Sequence, residues 1–174
     1  DNPLGKLFVF FPGTGATPDY YTYLSNTAAE SGLHVINLRY PNDRSVNLQI
    51  CPRDNDNACH EKVRKEIVQG IDVSPNVEVD EEISIEGRLL SALTYLSETY
   101  PDEGWSQYLT DGTVRWDSVI TAGHSQGGGH AVYIAYQHHV DRAISFAWAD
   151  VRRGEMAGWL TDNVSQTPPD SYYL

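Results

Sequence analysis

The chain has 174 residues, 40% of them hydrophobic and 21% charged, a size and balance that suit one domain burying roughly two-thirds of its unfolded surface. Twelve basic against 24 acidic residues give a net charge of −12, which repels polyanions at long range and excludes nucleic acid as a partner. No apolar run is long enough for a transmembrane segment, and the first residues, Asp1-Asn2-Pro3-Leu4-Gly5, lack the basic and apolar regions of a signal peptide, although a removed leader would leave no trace.

Leu7-Phe8-Val9-Phe10-Phe11 is a continuous apolar run stopped by Pro12-Gly13, the pattern of a central parallel strand buried on both faces. Thr17-Pro18-Asp19 then starts a helix, with Tyr20, Tyr23, Leu24 and Thr27 through Ala28 at helical spacing up to Ser31-Gly32. His34-Val35-Ile36-Asn37-Leu38 reads as a second strand, and a strand reached through a helix pairs in parallel by a right-handed crossover. Cys51 and Cys59 bracket a polar segment with little to bury, and a disulfide would hold it, adding about 2.5 kcal/mol at most. That pairing points to an oxidising compartment, secreted or periplasmic; two free thiols are the alternative in a reducing one. A zinc site on Cys51, Cys59 and His60 lacks a fourth ligand. With a helix from Glu61 to Gln69, this stretch forms an excursion outside the sheet, closed by Ile71-Asp72-Val73-Ser74-Pro75.

Asp80-Glu81-Glu82 places negative charge on the first turn of a long helix, whose buried stripe is Leu89, Leu93, Leu96 and Tyr100, ended by Pro101. After a turn-rich link from Gly104 to Trp116, Ser118 to Gly123 returns to strand character. A helix through Ala131 to Tyr136 and a strand from Ala143 to Ala149 follow, and Pro168-Pro169 leads towards one more strand at Tyr172-Tyr173. The alternation predicts an α/β fold with a doubly wound, mostly parallel sheet in one domain spanning 1–174, expected to be incomplete at both ends.

Gly123-His124-Ser125-Gln126-Gly127 fits the G-x-S-x-G nucleophile elbow and lies where that motif belongs, between an apolar strand and a helix. The sharp turn leaves no room for side chains at Gly123 and Gly127, and Gly128 and Gly129 extend the close approach of helix to sheet. Ser125 is the candidate nucleophile and the Gln126 N–H the candidate oxyanion donor, because the following helix aims its first N–H groups at developing negative charge. The second donor normally comes from the loop after an earlier strand, and Pro12-Gly13-Thr14-Gly15 is such a loop.

Through Phe10-Phe11-Pro12-Gly13-Thr14-Gly15 and Gly123-His124-Ser125-Gln126-Gly127-Gly128, in that order, the chain resembles the α/β-hydrolase superfamily over nearly its whole length. The resemblance implies a core running from about the third strand of that fold to the start of the seventh, with Pro12 where a histidine is commoner. It gives Thr14 the backbone N–H that completes the oxyanion hole. With its Cys51 to Cys59 excursion the chain is similar to a group of little-characterised bacterial secreted hydrolases. The implied activity is that of a serine esterase or lipase acting on a small-molecule or lipid-like acyl substrate, with no cofactor.

A serine hydroxyl needs a general base and an acid to orient that base. The superfamily order is serine, acid, histidine, and no histidine follows His139. His124 reads as a packing residue beside the nucleophile, and His130, His138 and His139 as surface or packing residues of the next helix; His34 and His60 have no motif to recommend them. The base is therefore expected outside this chain. Asp150, at the end of the strand from Ala143, is a candidate acid because some lipases that the chain resembles use that position; otherwise it caps a turn before Val151-Arg152-Arg153-Gly154. Asn163-Val164-Ser165 fits the N-glycosylation pattern. Trp148, Trp159, Tyr172 and Tyr173 are candidates for core or for a cleft wall. A non-catalytic binding protein that kept only the elbow, and an acyltransferase on the same site, stand as alternatives.

Overall fold

The computed structural model describes residues 3–152, 154–162 and 164–174, so Arg153 of the expected turn and Asn163 of the glycosylation pattern lie outside the described residues. The chain forms β1 (Leu7–Phe11), α1 (Thr22–Glu30), β2 (His34–Asn37), α2 (Cys59–Gln69), α3 (Ile85–Thr99), β3 (Leu109–Thr110) and β4 (Thr113–Val114), followed by β5 (Val119–His124), α4 (Gln126–Gln137), β6 (Arg142–Phe146), β7 (Val151–Arg152), β8 (Glu155–Met156), α5 (Gly158–Asp162) and β9 (Tyr172–Tyr173). Five strands make one all-parallel sheet in the order β2-β1-β5-β6-β9, while β3-β4 and β7-β8 are small antiparallel hairpins.

Every residue of β1 is buried, as its unbroken apolar run requires. Its side chains alternate between two cores: Leu7, Val9 and Phe11 face α2, α3 and α4, whereas Phe8 and Phe10 meet Ala28 of α1 together with Ile120 and Ala122 of β5. Helices thus cover both faces of the sheet. Among the described residues no helix is long and apolar enough to cross a membrane.

Several boundaries differ from those expected. The first helix opens as a tight turn over Pro18–Tyr21 and becomes regular only at Thr22. The long helix starts at Ile85, after Ser84 caps it by accepting the Gly87 N–H. Asp80-Glu81-Glu82 therefore lies in the preceding turn, and Glu86 is the first-turn acid. The buried stripe is Ile85, Leu89 and Leu93, with Leu96 half-buried and Tyr100 exposed. The strand expected up to Ala149 ends at Phe146, where Ala147 takes φ 56° and turns the chain out of the sheet.

Cys51 and Cys59 form a disulfide with Cα atoms 5.6 Å apart. Both sulfurs sit in the larger core, so the bridge anchors the first residue of α2 as well as closing the polar loop. The excursion consequently joins the larger core through Val63, Ile67 and Val68, with α2 against α3 and α4, and brings Arg64 with them.

Candidate functional site

The strand order reverses between β1 and β5: the chain runs outward from β1 to β2 on one side and from β5 to β6 and β9 on the other. The loops leaving the carboxyl ends of two such neighbours diverge and open a crevice, the usual ligand position in open α/β sheets. The register pairs Phe11 with Gly123, which places the Pro12-Gly13-Thr14 loop beside the turn carrying Ser125.

Ser125 has φ 53° and ψ −119°, a strained conformation for a residue with a side chain, and it links β5 directly to α4. Its N–H is held by the Phe146 carbonyl at 2.8 Å. A Cβ at Gly127 would strike the carbonyls of Phe11 and Pro12, and one at Gly123 would strike the Gly127 backbone, so both glycines are required by close approach. Gly128 lies against Ser145 of β6, whereas Gly129 leaves room for the guanidinium of Arg64 and the indole of Trp148.

The Pro12-Gly13-Thr14-Gly15 loop is fixed by residues that sequence reasoning missed. Asn42 donates to the Gly13 carbonyl at 2.7 Å and the Ala16 carbonyl at 2.9 Å, and its own carbonyl accepts the Gly15 N–H at 2.8 Å. The Tyr40 hydroxyl donates to Pro12 at 2.7 Å, and the Tyr21 hydroxyl accepts the Gly13 N–H at 3.2 Å while lying 2.9 Å from His124 Nδ1. His124 is thus exposed and tied to α1's leading turn rather than packed in the core.

Thr14 and Gln126 are joined directly. Gln126 Oε1 accepts from Thr14 Oγ1 at 3.1 Å and from the Val46 N–H at 3.0 Å. Among the described residues, the backbone N–H groups of Thr14 and Gln126 enter no hydrogen bond, and neither does Ser125 Oγ. A cleft of about 270 Å³ opens at Ser125, walled by Val46, Asn47, Leu48, Ala147 and Trp148. A second cavity of about 730 Å³ shares Trp148 and Ala149 with this cleft and is otherwise lined by residues that include Val132, Tyr136, Met156, Leu160 and Tyr172. Trp159, by contrast, is wholly in the core against Tyr133 and Tyr136.

Asp150 does not end a strand; it lies four residues beyond Phe146, fully buried. Its oxygens accept from Arg64 Nε at 2.5 Å, Arg64 Nη2 at 2.6 Å, Trp148 Nε1 at 3.0 Å and Trp159 Nε1 at 3.1 Å. Burial alone would raise its pKa, but the charge and hydrogen bonds of Arg64 bring the carboxyl down to about 2. The carboxylate is committed to a guanidinium and two indoles, not to an imidazole. His130 is fully buried, its Nδ1 3.3 Å from Arg64 Nη1; burial first, and then the Arg64 charge, hold its pKa well below the ordinary histidine value. His138 bonds Glu86 at 2.9 Å and stacks on Trp116 at the far end of α4, and His34 stacks on Trp105 at the opposite edge of the sheet.

Sequence gave one overlooked signal for Arg64: His60, Arg64 and Val68 recur at four-residue spacing on α2, which puts a charge on the buried side of a helix. No family of known proteins, no curated protein and no solved structure matches the chain.

Proposed function

We propose that the protein is a serine hydrolase acting on a carboxylic ester or related acyl substrate. The observation that carries this reading is the backbone of Ser125, strained at φ 53° between β5 and α4 at the strand-order reversal, with the N–H groups of Gln126 and of Thr14 in the neighbouring loop unpaired among the described residues. Ser125 Oγ attacks the acyl carbonyl, the Gln126 and Thr14 N–H groups receive the oxyanion, and water releases the acyl group from the serine. The reading further requires a histidine base and an acid: no imidazole among the described residues is hydrogen-bonded to Ser125, and Asp150 is engaged by Arg64. The Cys51–Cys59 bridge supports export to an oxidising compartment.

Treatment of the full-length protein with a fluorophosphonate probe is expected to label Ser125 and to leave Ser125→Ala unlabelled. Absence of label, or equal label on both proteins, rejects the reading. Competing alcohols in a turnover assay separate hydrolysis from acyl transfer. A second reading, a non-catalytic binding protein, is favoured by one observation: no imidazole among the described residues is hydrogen-bonded to Ser125. An unlabelled full-length protein that is otherwise folded would support it.

A further inference from the structure

Arg64 is a fully buried cation that the proposed chemistry does not use. Its fork closes on Asp150 through Nε and Nη2, while the remaining nitrogen, Nη1, turns the other way and donates to the Gln126 carbonyl at 3.3 Å. The cationic end of the pair therefore faces the elbow and the anionic end faces away from it. The guanidinium carbon also lies 5.6 Å from the centre of the Trp148 ring, which walls the Ser125 cleft. Room for this arrangement exists because Gly129 has no side chain; a Cβ there would meet both Arg64 and Trp148.

We infer that Arg64, held in place by Asp150, is a positioning residue for the oxyanion-binding N–H of Gln126, an inference that rests on the serine-hydrolase reading of Ser125. The Gln126 residue is pinned from two directions: its side-chain oxygen by Thr14 and Val46, and its carbonyl by Arg64. The Gln126 N–H belongs to the Ser125–Gln126 peptide, whose carbonyl accepts the Gly129 N–H at 3.3 Å, and holding the side chain and carbonyl on the Gln126 Cα limits how far that N–H can tilt. A full positive charge close to the turn also favours negative charge developing at the Gln126 N–H. Stability alone is a poor reason for such a pair, because apolar side chains of similar volume commonly stabilise a core as well as a buried ion pair does. Arg64 lines the inner wall of the Ser125 cleft but makes no hydrogen bond to Ser125 Oγ; its polar contact with the turn is the Gln126 carbonyl, and its effect runs through that residue.

The test replaces both partners, Arg64→Met with Asp150→Leu, and separately makes Arg64→Lys, in the full-length protein. Rates of fluorophosphonate labelling at Ser125, thermal midpoints, and kcat and KM on a p-nitrophenyl ester are compared with wild type. The double variant is expected to keep a near-native midpoint while labelling slows by about 10- to 100-fold. In both variants kcat is expected to fall with KM little changed, the signature of a contact felt in the transition state. Wild-type labelling rates in a folded double variant would overturn the inference and leave the Ser125 reading intact; an unlabelled wild type would remove both. Should neither variant fold, the wild-type protein decides. Phosphonylation of Ser125 is expected to shift the Arg64 side-chain resonances in a nitrogen-15 spectrum, and resonances that stay in place would overturn the inference.

Discussion

Ser125 holds a side chain in a conformation that costs about 1–3 kcal/mol, and that conformation turns the chain directly from β5 into α4. Ser125→Gly removes the Cβ that makes the conformation costly, partly offset by a more flexible unfolded chain. The net expectation is about 1 kcal/mol of added stability, or about 2–4 °C in thermal midpoint, with no gain for Ser125→Ala; equal midpoints would show the turn to be unstrained. His130 makes stability depend on pH. It is neutral when folded and takes up a proton below about pH 6.5 once unfolded, so stability is full above that value and falls as pH drops below it. His130→Gln is expected to flatten that slope, at most about 1.4 kcal/mol per pH unit, in denaturant titrations between pH 7 and pH 5. Asp150, with its pKa depressed, adds a separate loss only as pH falls from about 4 towards about 2. Ser125 and its glycines were legible in sequence because their constraint is local, a strand meeting a helix through a turn without room for Cβ atoms. Arg64 was not, since its partners Asp150 and Gln126 lie 86 and 62 residues away and only packing unites them.

At the scale of elements, continuous apolar runs foretold β1 and β5 well, and boundaries failed where a competing local interaction decided them. Ser84 captures the Gly87 N–H and begins α3 there, leaving the acidic triplet in the turn before it. β6 stops at Phe146 although apolar residues continue, because Ala147 turns away and the carbonyl of Phe146 holds the elbow N–H instead. The Cys51–Cys59 bridge joins a loop to the first residue of α2, whose buried side carries Val63, Arg64 and Ile67. Replacing both cysteines by alanine is expected to lower stability by about 2.5 kcal/mol at most, measured by urea unfolding. Thiol titration under denaturing, non-reducing conditions should find no free thiol in the natural protein, and two would overturn the bridge.

Across the whole molecule, the parallel sheet followed from the alternation of strands and helices, and its order placed the elbow and the Gly13-Thr14 loop side by side. The sequence could not reveal how that loop is held, because Asn42, Tyr40 and Tyr21 act through contacts that carry no periodic signal. The contacts that close the site span much of the chain: Thr14 to Gln126 across 112 residues, Arg64 to Asp150 across 86, and Val46 to Gln126 across 80. Bringing such distant segments together is slow compared with forming helices, since loop closure must precede the contacts that reward it. On refolding from denaturant, helical circular dichroism is expected to recover first and probe reactivity at Ser125 later, in a phase of its own. Coincident phases would show that the site forms together with the helices. On the proposed reading, a nucleophile wired in this way would stay unreactive on a partly folded chain and acquire its chemistry only when the last long-range contacts are made.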